Sequence, residues 1–347
     1  MARNVGPALA LVAAVLFGLS TPAAKWLVGV ADPWLLAGLL YLGSGFGLGA
    51  VRLAAWLRGR PLFGLTVAEL PWLAGAVLSG GVIGPVLLML ALADGSAAQA
   101  ALLLNLEGVF TALIAWGVAR EHVDARIATG MAAIAAGAAV LSWASTGVAI
   151  DRSAALVAGA CLAWAIDNNL TRRVASGGAV EIAALKGGVA GAINIALATL
   201  HGATIPPVPV VIGAGVIGLL GYGTSLVFFV LALRHLGAGR TGAYFSTAPF
   251  VGAAASVVAF GEAVSGGLLA GGALMAVGVW LHLSERHDHQ HVHEPTAHSH
   301  QHRHDVHHQH DHPPGTSAGE SHVHWHVHQH LAHRHPHYPD LHHRHRH

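Results

Sequence analysis

Apolar runs long enough to cross a lipid bilayer recur along the first 283 residues, separated by short polar or basic stretches. At about 1.5 Å of rise per residue, roughly 20 apolar residues cover the ~30 Å of a hydrocarbon core. The runs fall near 5–25, 34–52, 71–92, 96–118, 126–143, 154–174, 179–200, 208–233, 239–260 and 264–283. They predict an all-α polytopic membrane protein with ten transmembrane helices. The first run follows Met-Ala-Arg-Asn and contains Pro22-Ala23-Ala24, features that a secretory signal shares. Nine further runs of the same character make it a retained first helix instead.

Composition agrees. The chain is 54% apolar and only 10% charged, against about 25% charged residues in soluble domains. The lone Cys161 lies in an apolar run, excludes an internal disulfide framework and reads as a small packing residue. Charge orients the helices. With the N-terminus inside, inner loops and ends hold Arg3, Arg52, Arg58, Arg60, Arg120, Arg126, Arg172, Arg173, Arg234, Arg240 and Arg286, whereas outer ones hold Lys25 and Arg152. Eleven basic residues against two follow the positive-inside rule and require an even number of spans. Both termini are therefore expected in the cytoplasm. Glycines at four-residue spacing (Gly43 with Gly47, Gly45 with Gly49, Gly267 with Gly271) permit close helix contact. Packing within one chain is the expected use, and a homodimer seam is the alternative.

The helices repeat. An offset of 141 residues superposes Leu104–Gly137 on Phe245–Gly278, carrying Glu121 onto Glu262, Gly130 onto Gly271 and Gly137 onto Gly278. Leu11–Lys25 and Leu156–Leu170 correspond more loosely. Five spans per half invert the second copy, an architecture that puts a substrate site near the midplane and suits alternating access. Residues 1–150 and 151–284 are the expected repeats, and 285–347 a tail.

The phrases Leu-Phe-Gly-Leu-Ser-Thr-Pro-Ala-Ala-Lys at 16–25 and Gly-Glu-Ala-Val-Ser-Gly-Gly-Leu-Leu-Ala-Gly-Gly at 261–272 resemble the EamA family of the drug/metabolite transporter superfamily. The resemblance covers about residues 5 to 283. It implies ten helices in two EamA repeats, a bacterial inner-membrane location and transport of a small solute. Gly108 stands where the second copy has Pro249, so the halves are not equivalent.

The ionisable residues expected inside the membrane are Glu107, Asp167 and Lys186. An ionisable group in hydrocarbon costs from ~2.5 kcal/mol upward, so each is a functional-site hypothesis. If the sixth and seventh helices meet near Arg173–Ala179, Asp167 and Lys186 both lie roughly 10 Å inside one membrane face and can pair. Glu107 falls about 16 Å deep by the same measure. Asp167 and Glu107 are the candidate proton- or cation-binding carboxylates, and Lys186 a substrate anchor or a counter-charge released during the cycle. Asn168, Asn169 and Tyr244 complete the candidate substrate site, and Asn105, Asn194, Tyr222, Ser246 and Thr247 add hydrogen-bonding capacity. The alternative is a fixed Asp167–Lys186 brace. Pro22 and Pro249 are expected to interrupt helices and free carbonyls. Glu121 and Glu262 are expected at the starts of the fifth and tenth helices, where a carboxylate suits the positive helix end.

From Ser284 onward the pattern changes to five Arg, seven acids and 24 of the 28 histidines. Sparse apolar residues and frequent prolines predict a disordered tail. His287, His289, His291, His293, His298, His300, His302, His304, His322, His324, His326, His328 and His330 follow a His-x-His pattern. Alternate imidazoles share one face of an extended chain and suit Zn, Ni, Cu or Co ions. Other residues interrupt the run over some 60 positions, unlike an expression tag.

Nothing resembles a nucleotide-binding loop, so transport should be secondary. No catalytic residues, required cofactor or nucleic-acid partner is expected. The favoured function is export of a small metabolite, with proton coupling as one option and the tail as a metal-binding accessory. The alternatives are a divalent-metal transporter and a membrane-anchored metal-binding protein. His122, His201, His235 and His282 all fall near helix ends, which favours the metabolite.

Overall fold

The computed structural model describes residues 5–59, 66–119, 125–144, 151–174 and 178–283, and the backbone of 287–293, 296–302, 322–328 and 331–337. The chain forms two compact units, Met1–Glu285 and Arg286–His347.

The first unit is helical. Its helices are α1 (Val5–Val28), α2 (Pro33–Leu57), α3 (Leu70–Ala76), α4 (Gly84–Asp94), α5 (Ala97–Leu103), α6 (Leu106–Ala119) and α7 (Ala125–Ala144). After them come α8 (Arg152–Thr171), α9 (Ala179–Leu200), α10 (Val208–Ile217), α11 (Ser225–Phe245), α12 (Ala248–Phe260) and α13 (Gly266–Leu283). Two seven-residue π-helical turns, Val77–Ile83 and Gly218–Thr224, join α3 to α4 and α10 to α11. Asp32 starts α2 by accepting from the amides of Trp34 and Leu35, with Pro33 in the first turn, where its missing N–H costs nothing.

Seven helical stretches among the described residues are long and apolar enough to cross a membrane. Helix α8 has 20 residues but carries Asp167-Asn168-Asn169 near its end. Helices α12 and α13 have 13 and 18 residues. The chain is thus a multi-pass membrane protein.

The repeat is visible in the backbone. The π turns start 141 residues apart, at Val77 and Gly218, and so do α7 and α13, at Ala125 and Gly266. Packing follows the same symmetry: α1 lies on α11 as α8 lies on α4, α2 crosses α9, α5 meets α12, and α7 crosses α13. At the last crossing Gly130 faces Gly278 and Gly137 faces Gly271. A methyl group built on any of the four would stand 2.6–3.0 Å from the opposite carbonyl oxygen. Absent side chains let these backbones touch. Gly43 and Gly45 do the same against Gly215 and Gly188, and Gly47 against Leu219, so these glycines serve packing within the chain. Among the described residues nothing lies within 4 Å of a methyl group built on Gly49.

Three expectations need correction. The loop expected near 234–238, between the eighth and ninth spans, lies within α11, which continues to Phe245. Neither proline interrupts a helix: Pro22 lies inside α1, which runs unbroken from Val5 to Val28, and Pro249 stands in the first turn of α12, where a proline is tolerated. The fourth run is broken too: α5 ends at Leu103 and α6 begins at Leu106, although it has Gly108 in place of that proline.

In the second unit the backbone forms β1 (His287–His293), β2 (Thr296–His302), β3 (His322–His328) and β4 (Leu331–His337). Strand β1 pairs antiparallel with β4, and β2 with β3. These strands are the part of the expected tail that the structure describes, as backbone alone. Each ladder has two strands, an arrangement of marginal stability in water by itself.

Candidate functional site

The site begins with a proline. In Gly-Gly-Val-Ile-Gly-Pro at 80–85, the Gly84 amide bonds to Ser79 O, five residues back. Pro85 has no N–H to continue the series, so the Gly80 carbonyl lacks its backbone donor. Side chains from other helices supply donors. Tyr41 Oη of α2 donates to Gly80 O at 2.7 Å, and Trp164 Nε1 of α8 donates to the same oxygen at 2.9 Å. Asn194 Nδ2 of α9 donates to Gly81 O at 3.0 Å and is fully buried. Buried carbonyls left without such donors would each cost on the order of 1–3 kcal/mol. The π turn is thereby fastened to three helices at once.

Asp167 lies against this turn. A methyl group on Gly80 would overlap its carboxylate, so only glycine leaves it room. Both carboxylate oxygens accept from Lys186 Nζ at 2.5 Å, and Oδ1 also accepts from Thr171 Oγ1 at 2.8 Å. The side chains of Lys186 and Asp167 are 16% and 9% exposed. Low dielectric strengthens the attraction, but desolvation consumes much of the gain, so such a pair contributes little net stability. What it provides is a fixed arrangement of opposite charges between α8 and α9.

Glu107 occupies a neighbouring cluster. Its Oε1 accepts from Asn168 Nδ2 at 2.8 Å, and Thr111 Oγ1 lies 3.4 Å from the same nitrogen. Asn169 Nδ2 reaches Thr111 O at 3.3 Å and Ala165 O at 2.9 Å. The two asparagines thus tie α8 to α6. Among the described residues no ion pair joins Glu107 to Lys186, and no hydrogen bond joins Tyr244 to either cluster. The side chains of the tail histidines lie outside the described residues, and His304 and His330 lie outside them altogether.

The π turns are linked through aromatic rings. Tyr41, bonded to the first turn, has its ring 5.7 Å from Tyr222 of the second, and Phe17 of α1 is 6.1 Å from Tyr222. Arg52 and Glu181 pair at 2.6 Å between α2 and α9.

The position of Glu262 differs from expectation. Helix α13 starts at Gly266 and is capped by Ser265, whose Oγ accepts from the Leu268 amide at 3.1 Å. Glu262 instead reaches 165 residues back. It bonds to the Ser96 hydroxyl and to the amides of Ala97 at 2.8 Å and Ala98 at 3.1 Å. Gly261, with a φ of 62° that favours glycine, turns the chain there. Glu121 lies outside the described residues.

Sequence reasoning missed Tyr41, Trp164 and Gly80. The signal was Pro85, within an apolar run and preceded by three glycines in five positions. A proline there predicts orphaned carbonyls and hence buried donors on neighbouring helices.

The sequence profile of the EamA-like transporter family matches residues 4–150 and again 151–284. An uncharacterised transporter of Methanothermobacter thermautotrophicus (strain Delta H) is 26% identical over 210 residues, 58% of this chain and 60% of that relative. One solved crystal structure aligns over 81% of this chain and 96% of its own length, with a TM-score of 0.59 at 22% identity, a likeness in fold alone.

Proposed function

The chain belongs to the EamA-like transporter family, and from that premise we propose a secondary transporter that exports a small metabolite by alternating access. In this reading ten helices form two inverted repeats in a bacterial inner membrane, with both termini in the cytoplasm. The observation that carries it is the Asp167–Lys186 pair seated against a π turn. π turns inside α-helices recur at functional sites, and buried charges in spans mark solute or proton paths. A proton taken up by Asp167 neutralises the carboxylate and frees the Lys186 ammonium for an anionic group of the solute. Release of the proton on the far side restores the pair and expels the solute with it, so proton and solute move together and export follows the solute's own outward gradient. Glu107 is the second titrating carboxylate, with Asn168 aligning it.

The tail is a separate metal-binding accessory for Ni, Zn, Co or Cu, supported by its His-x-His spacing. That spacing also supports a second reading, transport of a divalent metal ion. The Lys186 ammonium at the centre of the site opposes a divalent cation, which ranks this reading below the first.

Two measurements test these assignments. Protein lacking residues 285–347, reconstituted in proteoliposomes, should move small anionic metabolites with the full-length rate, since the tail is a unit of its own. Loss of membrane insertion on truncation would place the boundary wrongly, and metal uptake without metabolite uptake would establish the second reading. A reporter fused after Leu283 should be active in the cytoplasm, as the arginine asymmetry requires. Activity confined to the periplasm would reverse the topology.

A further inference from the structure

The short turn between α4 and α5 is held by charged groups from three other parts of the chain. Lys25, near the end of α1, donates from Nζ to Leu92 O and, at 2.9 Å, to Gly95 O. Arg152, at the start of α8, pairs with Asp94 at 2.7 Å. Glu262, beyond α12, holds the Ser96 hydroxyl and the amides of Ala97 and Ala98. The neighbouring Ser153 adds a hydrogen bond to Ala91 O at 3.0 Å. A cleft of about 280 Å³ opens beside this turn, lined by Ser96, Gln99, Leu141, Glu262, Ser265 and Leu268.

These ties are unequal. The Arg152–Asp94 pair is largely exposed, with side chains 74% and 44% accessible, and exposed pairs contribute little. Lys25 joins α1 to α4 within the first repeat. Arg152, Ser153 and Glu262 all belong to the second repeat, and of their ties to the first those of Glu262 are the most numerous: three charge-assisted bonds to the α4–α5 turn, each about twice as strong as a neutral one. Alternating access separates one repeat from the other, so a strong tie across them must break whenever this end opens.

We propose that Glu262 is a gate latch: its carboxylate, held by Ser96, Ala97 and Ala98, keeps the end of the membrane domain opposite the Asp167–Lys186 pair closed. This rests on the alternating-access reading. The cleft is the shallow outer part of the opening, and Leu141, 3% exposed at its floor, is the residue that opening would uncover. The latch holds the resting state shut at this end while solute enters from the other.

The native cysteine, Cys161, is fully buried, so Leu141→Cys can report on the gate without background. Purified protein in nanodiscs leaves both faces open to a membrane-impermeant maleimide, and labelling needs no substrate. Leu141→Cys alone should label slowly. Adding Glu262→Gln, which places an N–H₂ group among N–H and O–H donors, should raise the rate at least tenfold. Ser96→Ala, which removes one partner and keeps the carboxylate, should give a smaller rise, and Glu262→Asp a rise between the two. Unchanged labelling in both the Glu262→Gln and Ser96→Ala backgrounds overturns the latch. Because the readout is independent of solute, that failure would leave the transport reading standing, and a wild-type protein that moves no solute would not by itself remove the latch.

Discussion

Asp167→Asn should abolish solute transport while the protein remains inserted in the membrane and monodisperse. The asparagine keeps the shape of the side chain and can still accept from Thr171 and Lys186, but it cannot carry a proton on and off. Breaking a buried pair by removing one partner typically costs 3–5 kcal/mol when the survivor stays charged. The loss here should be smaller than about 3 kcal/mol, because a buried lysine deprived of its partner can shed its proton. Transport should therefore fall to background while thermal stability falls only in part. The same pair regarded as a brace makes the opposite forecast. Lys186→Met with Asp167→Leu replaces both charges with apolar groups of similar size, often neutral or stabilising for a buried pair. Normal solute flux by that double variant would refute the site and leave Glu107 as the remaining carboxylate.

Gly80→Ala should lower both transport and stability, because its added methyl group strikes the charged pair directly. The added carbon would overlap the Asp167 carboxylate, which is already fixed by Lys186, Thr171 and the backbone behind it. Forcing an extra methyl into such packing costs about 1–3 kcal/mol. In this place it also pushes Asp167 off the lysine and strains the bonds from Tyr41 and Trp164 to Gly80 O. Loss of transport should accompany a lowered melting temperature. Gly188→Ala is the matched control, since nothing lies within 4 Å of its added carbon although it sits two residues from Lys186. Alanine is the better helix former by about 1 kcal/mol, so this variant should be as stable as the parent or more so, with transport retained. Equal behaviour of the two variants would show that Gly80 is not a contact of the charged pair.

How much of this was legible from the residues depends on the scale of the signal. The apolar runs and the offset of 141 are long-range patterns, and the structure carries the same offset in its π turns and in α7 and α13. Asp167 and Lys186 were legible because hydrocarbon makes any charge conspicuous, and their separation along two adjoining helices put them at one depth. The partners that do not carry charge were not legible. Tyr41 and Trp164 read as ordinary aromatic residues in apolar runs until Pro85 is asked which carbonyl it leaves unbonded. Glu262 was legible as a helix-end carboxylate but not as belonging to another helix, because a sequence shows which residues precede a helix and not which distant residue reaches it. The boundary inside α11 was missed for a related reason: arginines at 234 and 240 look like a loop in a hydropathy pattern, yet they are compatible with a helix that continues past the membrane face.

The paired π turns also bear on the history of the chain. A π turn holds one more residue than the α-helical turn it replaces, so a surplus residue acquired by one half alone would put the two halves out of step from that point on. They are in step: α4 and α11 start at Gly84 and Ser225, and α7 and α13 at Ala125 and Gly266, both 141 apart. The simplest ancestry is a single half that already carried the surplus residue before its gene was duplicated. Pro85, which has Leu226 at the matching place, then belongs to the later divergence that gave one of two equal bends a charged neighbour and left the other to aromatic rings.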